Sequence, residues 1–372
     1  MKTDYDCYVL YFNHNDWSFE LSESIKVRNP EVHFFGIDRH HALLQTILCK
    51  VIHKISIGLS RLFLKHFSIC AFANNDKALQ LWFKARMLHK KHHFKRVIAH
   101  NLGAFYPAVK LARIKSLDLQ LDIEDYYPGE ALYFNKKYEK QIRMYLMTRS
   151  FLSADLITYA SEGIRLECEQ HFKTKAQAKQ VVVINSFDEK DFKKPEETIR
   201  DLTKCVWFSQ HIGPHRGLEQ VFESASRLKH VEFHLIGNLN EAYIQKFTLS
   251  SNMLFHPVME QSELHDFLSR MDIGLALEDP NADYNRNICL TNKILAYAQS
   301  GLYILASDTY GQVQFLNSLD YNAGSIIDVS LQHSIECLDI NLLNGNSKIE
   351  RWQKARHFSW EKEQLKLKTL LS

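Results

Sequence analysis

Short runs rich in β-branched, aliphatic and aromatic residues alternate with stretches of helical period along nearly the whole chain, and this alternation dictates the fold class. In the first half the runs fall at residues 7–12, 32–37, 96–99, 117–122, 156–159 and 181–184. In the second they fall at 205–209, 231–236, 253–256, 273–277, 303–306 and 325–327. Strands separated by a helix cannot close as hairpins, so they pair in parallel and carry helices on their faces. Two doubly wound, Rossmann-like α/β domains are expected. The 372 residues divide between them at ordinary domain size, roughly 100 to 200 residues each. The polar stretch 188–204, with Pro195 near its middle, has the composition of a linker. That places a first domain at 1–195 and a second at 196–354. Residues 348–372, with apolar side chains at helical intervals among Lys and Glu, read as one or two surface helices.

Charge is distributed unevenly. Lys and Arg number 46 against 43 Asp and Glu, a net charge of +3 that speaks against a generally basic, nucleic-acid-binding coat. Between residues 39 and 100, however, stand twelve Lys/Arg and a single acid, Asp76, so this segment carries +11 and the rest of the chain −8. Such asymmetry points to a localised anionic partner. On a helix, Lys50, Lys54, Arg61 and Lys65 fall within about 60° of one another, with Leu43, Leu44, Ile47, Val51, Ile55, Leu59, Leu62 and Phe63 elsewhere on the surface. Two readings stand side by side: attachment to anionic lipid headgroups, or a domain helix whose apolar side packs on the sheet and whose lysines are solvated. The scarcity of acids favours an anionic membrane surface for residues 39–100. Nucleic acid is disfavoured, because no recognised module or interleaved aromatic pattern accompanies the charge.

The same lysines interrupt the apolar window 42–70, so no membrane span is expected there. The first apolar run is too short for the core of a secretion signal. Seven scattered cysteines without a CxxC pair read as reduced packing residues. Together these features suggest a cytoplasmic protein, peripheral at the inner face of a membrane.

Ligands of open parallel sheets gather beyond the carboxyl ends of the strands, which singles out four loops. After 206–209 comes Gln210-His211-Ile212-Gly213-Pro214-His215-Arg216-Gly217-Leu218-Glu219, a glycine-containing loop that opens a helix. Free backbone N–H groups beside a guanidinium suit a phosphate or diphosphate; a capped loop with a surface arginine is the plainer alternative. After 117–121, Asp122, Glu124, Asp125 and Glu130 crowd a strand end, where acids act on hydroxyls, bind sugars or simply cap turns. His100 and Asn101 follow the strand at 96–99, a titratable ring and an amide where the sheet opens. Last, Asn292 and Lys293 begin a helix after the 278–291 loop, where a lysine meets a phosphate, a sugar hydroxyl or solvent. No Walker loop, GxGxxG after the first strand, HExxH or GxSxG is present, which removes the commonest NTPase, dehydrogenase, metalloprotease and hydrolase readings. His89, His92 and His93 have helical spacing but sit in a Lys/Arg-rich run without nearby carboxylates or cysteines, so no metal site is assigned.

The stretch from Val206 through Gly213, Arg216 and Gly217 to Glu219, then Phe233-His234-Leu235-Ile236-Gly237-Asn238, then Asn292-Lys293 through Ser300-Gly301, resembles the nucleotide-binding half of bacterial glycosyltransferases of the GT-B fold, most like the retaining family 4 group. His100-Asn101, the acids 122–130, Tyr159-Ala160-Ser161-Glu162-Gly163 and Phe358-Ser359-Trp360-Glu361 are similar in order and kind to the same enzymes. The resemblance implies a nucleotide-sugar donor on the second domain, a glycan or lipid-linked saccharide acceptor on the first, and a closing helix (residues 355–372) that packs back on the first. It implies transfer with retention and without a metal or other cofactor, in surface polysaccharide assembly. Arg216 matches a basic residue that neutralises the donor diphosphate, with Gln210, Gly213, Gly217, Asn292 and Lys293 as further donor contacts. His100, Glu124 and Asp125 are left to orient acceptor or sugar. The chain departs from the pattern at Ile288 and Ala296, where the family often has paired glutamates, at Glu124, where a histidine is frequent, and at Asn13 to Asp16, where a glycine-rich loop is usual. The missing glutamates motivate one rival expectation, a non-catalytic relative that binds a glycan or partners another transferase; another is a same-fold sugar-nucleotide epimerase or phosphorylase, which would need no lipid contact.

Overall fold

The computed structural model describes residues 5–13, 18–62, 66–132, 135–195 and 202–371. Phe63, Lys65, His14 to Asp16 and residues 196–201 of the expected linker lie outside the described residues. The chain divides into two compact units, one of residues 1–128, 132–158 and 169–180, the other of 129–131, 159–168 and 181–372.

The elements begin with β1 (Tyr8–Phe12), α1 (Ser18–Arg28), β2 (His33–Ile37), α2 (Leu43–Leu62), α3 (Phe67–Asn74) and α4 (Ala78–His92). Next come β3 (Arg96–Ala99), α5 (Leu102–Lys115), β4 (Asp118–Ile123), α6 (Lys136–Phe151), β5 (Leu156–Tyr159), α7 (Glu162–His171) and β6 (Lys179–Val182). The second series is β7 (Thr203–Ile212), α8 (Glu219–Arg227), β8 (Val231–Leu239), α9 (Glu241–Ile244), β9 (Met253–His256), α10 (Gln261–Ser269) and β10 (Ile273–Ala276). It ends with α11 (Tyr284–Ile288), α12 (Asn292–Gln299), β11 (Tyr303–Ala306), α13 (Tyr310–Ser318), β12 (Gly324–Ile326), α14 (Leu331–Glu336), α15 (Gly345–Lys354) and α16 (Trp360–Leu371).

Each expected strand is present, in two series. The second unit holds one six-stranded parallel sheet in the order β12-β11-β10-β7-β8-β9. Its inner strands β10 and β11 are buried along their whole length, which is why they read as continuous apolar runs rather than alternating ones. Trp207, Phe233, Leu235, Ile273 and Leu275 form one core with Leu218 and Val221. Val206, Ile236, Ala276 and Ile304 form the other with Ile294 and Tyr297 of α12.

The first series departs from a single sheet: β1 and β2 pair with each other, and β3-β4-β5-β6 make a separate four-stranded sheet. β6 lies two residues earlier than its apolar run, and β7 continues three residues beyond 209, through a register shift between Phe208 and His211. Residues 181–192, grouped by sequence with the first half, belong to the second unit. The Phe187 N–H donates to Gln299 Oε1 at 3.0 Å, Trp360 donates its N–H to Phe187 O at 3.0 Å, and Glu363 accepts from Ile184 N at 3.1 Å. α16 is fastened to this unit by those bonds, and α15 is only half a surface helix, since Lys348 and Arg351 are buried.

Helix α2 faces opposite to the domain-helix expectation. Its buried residues are Thr46, Cys49, Ser56 and Ser60, while Leu43, Leu44, Ile47, Leu48, Val51, Ile55, Leu59 and Leu62 stand exposed. Among the described residues it is also the one helix long and apolar enough to cross a membrane by length and composition, because its best window omits Arg61 and keeps only Lys50 and Lys54.

Gly301 links α12 to β11 in the left-handed region (φ +74°), and a Cβ there would lie 2.4 Å from the Lys348 carbonyl oxygen. Backbone conformation and backbone contact both demand glycine. Gly301→Ala should therefore lower stability by at least about 2 kcal/mol, read from the urea unfolding midpoint. An unchanged midpoint would show that α15 yields freely at this contact.

Candidate functional site

In the second unit the loop after β7 walls an open pocket of about 450 Å³, lined by His211, Gly213, Pro214, His215, Arg216, Leu239, Asn240 and Arg286. The strand ends and the loop turns sharply, with His215 (φ 61°) and Gly217 (φ +70°) in the left-handed region. A Cβ on Gly217 would sit 3.2 Å from Leu277 Cβ, so this glycine lets the loop press against the end of β10. At Gly213 the nearest neighbour of such a Cβ would be 4.0 Å away, so its absence leaves open space in the pocket rather than relieving a contact.

What lies beneath the pocket was not singled out from sequence. Glu278, two residues beyond the end of β10, is buried, its N–H donating to Ser307 Oγ at 3.0 Å. Its carboxylate receives the Lys293 ammonium on one oxygen and stands 3.8 Å from the Arg216 guanidinium on the other. Lys293 also donates to Leu277 O at 3.1 Å and lies 5.3 Å from the centre of the Trp207 ring. Burial pushes the Lys293 pKa down, and the Glu278 charge works against that. Lys293 is thus not a free donor contact: it neutralises Glu278, which holds Arg216 at the pocket wall. A guanidinium carries five N–H donors, so an ion pair on one edge leaves others for a ligand.

α12 reaches this place because β10 contains Gly274. A Cβ there would be 2.3 Å from Tyr297 Cγ, so the helix rests directly on the strand backbone. Asn292, the first residue of α12, is exposed. Arg286 is the second pocket cation. It donates to the His215 carbonyl oxygen at 3.1 Å and stands 3.7 Å from Asp283, whose side chain caps α11. Sequence pattern missed it because α11 is a short helix inside what read as a long loop. Gln210 is exposed on β7 and does not line the pocket.

In the first unit the β3/β4 register pairs Ala99 with Leu121, so the next residues, His100 and Asp122, emerge side by side. His100 Nδ1 lies 2.8 Å from Asp122 Oδ2, and Asp122 Oδ1 accepts from Thr158 Oγ1 of β5 at 2.5 Å. Glu124 Oε1 is 3.9 Å from the same ring nitrogen. The hydrogen bond to Asp122 raises the His100 pKa against the opposing pull of burial. Burial, then the Asp122 charge, raises that of Glu124, with Asp125 contributing its charge from nearby. Asp122, one of the acids read at this strand end, orients the imidazole and is itself held by Thr158, which the sequence did not single out. The three ligand atoms of His100, Asp122 and Glu124 lie within 4.8 Å of one another, close enough to share a cation or a polar ligand. The rings of His89, His92 and His93 do something different: His89 and His92 pack against Phe94, and His93 against His89.

No protein-family model and no curated protein matches the chain. Solved structures do. HepE of Anabaena, solved with UDP and glucose, superposes with a TM-score of 0.65 at 10% identity over 98% of this chain and 99% of that one. A glycosyltransferase from Rickettsia africae gives 0.62 at 11% identity over 98% and 97%. The sucrose-phosphate synthase of Thermosynechococcus elongatus gives 0.63 at 13% identity over 80% and 77%. These neighbours are GT-B glycosyltransferases, and at such identities the likeness establishes the fold: this chain has the mixed α/β architecture with parallel sheets of that class.

Two measurements check the geometry of the two clusters. Lys293→Met should cost about 3–5 kcal/mol in chemical denaturation, because it strands the Glu278 carboxylate away from water; removing both charges together in Lys293→Met with Glu278→Leu should recover most of that loss. In the other cluster, a raised His100 pKa means that its bond to Asp122 stabilises fully below the unfolded value near 6.5 and is lost as pH rises through the folded value. Asp122→Asn should move the His100 NMR titration midpoint downward and remove that pH-dependent increment.

Proposed function

We propose that this chain is a glycosyltransferase that moves a sugar from a nucleoside diphosphate donor to a hydroxyl of a glycan acceptor. The carrying observation is the pocket of about 450 Å³ at the end of β7, with two guanidinium groups, Arg216 and Arg286, on its wall. Arginine forks match phosphate oxygens in pairs, and donors fixed before the reaction stabilise the charge that grows on a departing diphosphate. HepE was solved with UDP-glucose, which supports a uridine diphosphate sugar as donor. In this reading Arg216 and Arg286 neutralise the diphosphate directly, Gly213 admits it, and Asn292 presents the start of α12 to the donor. Lys293 and Gly217 act one layer behind. Neither a metal nor another cofactor is needed.

In the first unit, Nδ1 of His100 is turned to Asp122, which leaves Nε2 for a sugar or acceptor hydroxyl, with Glu124 beside the ring and Asp125 near Glu124. Transfer proceeds with retention, an oxygen of the departing phosphate taking the acceptor proton on the same face. The acceptor is a lipid-linked saccharide of surface polysaccharide assembly, met at the cytoplasmic face of an anionic membrane through residues 39–100. A second reading, a binding relative without turnover, is favoured by Ile288 and Ala296, whose buried apolar side chains accept no hydrogen bond from a donor.

The test is a thermal-shift comparison of UDP, GDP, CDP and dTDP with their sugar conjugates, since a ligand at a hundred times its Kd stabilises the folded chain by about 2.7 kcal/mol. UDP and UDP-sugars should raise the melting temperature, and Arg216→Ala and Arg286→Ala should each abolish most of the rise. Absence of any shift would sink the donor assignment. A shift with UDP but no hydrolysis or transfer of the sugar would favour the binding relative.

A further inference from the structure

We propose that α2 lies in the plane of a membrane surface, its outward apolar face sunk among the acyl chains of one leaflet and Lys50, Lys54 and Arg61 held at the level of the lipid phosphates. This deepens the membrane contact proposed above by stating how the chain binds. It stands on α2 itself rather than on the transfer reaction.

On a helical projection the buried residues Thr46, Cys49, Ser56 and Ser60 fall within an arc of about 80°, and the eight exposed apolar residues occupy about 160° centred almost opposite. Leu44 is 85% exposed and Leu62 78%. The polar underside is satisfied by the first unit along the whole helix. Gln80 donates to Thr46 Oγ1 at 3.2 Å, His53 Nδ1 meets the Phe72 carbonyl at 2.6 Å, and Tyr138 reaches both Ser60 and the Ile57 carbonyl. A helix amphipathic in this sense has its polar side committed to the protein and its apolar side committed to nothing. Contiguous exposed apolar surface on this scale marks an interaction face.

The charge pattern selects a bilayer as the occupant. Lys50, Lys54 and Arg61 lie within about 40° of one another along one margin of the apolar arc, where long cationic side chains keep their heads in the headgroup layer while the stems cover apolar surface. The one acid between residues 39 and 100, Asp76, is held by Arg39 at 2.7 Å, so no carboxylate of this segment opposes an anionic surface. Crossing the bilayer is a different matter. Although α2 is long enough, a spanning helix would have to give up the bonds that fasten it to Gln80, Phe72 and Tyr138.

Flotation of the full chain with vesicles tests the inference. The chain should float with phosphatidylcholine:phosphatidylglycerol 3:1 vesicles and stay bound in about 1 M NaCl, where the Debye length shrinks to about 3 Å and headgroup attraction alone would fail. Alkaline carbonate should release it. The quadruple variant Leu44→Ser, Ile47→Ser, Val51→Ser, Ile55→Ser, folded by circular dichroism, should lose at least about tenfold in bound fraction. Lys50→Glu with Lys54→Glu should lose the preference for the anionic lipid. Three results would overturn the proposal: release by salt alone, retention through carbonate, or a soluble dimer dispersed by the serine variant, which would give the face to a second copy of the chain. None of these readouts depends on sugar transfer, so failure here and failure of the donor assignment are separable.

Discussion

The second unit is organised around a carboxylate that has no access to water. Burying Glu278 is tolerable only with a cation against it, and Lys293 provides that cation from the first turn of α12. Such a pair contributes little to stability beyond what apolar side chains would supply, yet it is intolerant of losing either member. Its value here is positional. The second carboxylate oxygen faces Arg216, so the same group that compensates a buried lysine sets the guanidinium at the pocket wall. The sheet below, the glycine turn at residue 217 and the close seat of α12 all converge on keeping that carboxylate in place.

The two candidate sites are electrostatic opposites. The pocket of the second unit presents guanidinium groups whose counter-charges lie behind them, an arrangement suited to an entering anion. In the first unit two carboxylates flank one imidazole, an arrangement suited to hydroxyl groups and to a ring that keeps its proton to higher pH than a free imidazole.

Strand positions were legible because parallel strands buried on both faces leave unbroken apolar runs, and β10 and β11 lie where those runs lie. Pairing was less so: nothing local in β1 and β2 announces that they form their own ladder instead of joining β3 to β6. In the site, Gly213 and Arg216 were readable from their loop, whereas Lys293 was readable only as a cation at a helix start. Its burial depends on Glu278, which comes from a different strand end, and one acid after an apolar strand looks like any solvated turn residue. Arg286 was hidden for a similar reason, in a helix of five residues. α2 shows the limit most clearly. Periodicity separates a helix into faces, but tertiary partners decide which face goes inward, and here Gln80 and Tyr138 claim the polar one.

Gly274 gives the pocket a dependence that no inspection of the pocket would reveal. The missing methyl group lets the Tyr297 ring lie on the strand, and the depth of that seat fixes how far Lys293 projects toward Glu278. Homologous chains that carry a side chain at this position must therefore lift the helix and rebuild the charge arrangement above it. A change in the core, away from the pocket wall, can in this way alter the charges that stand behind it.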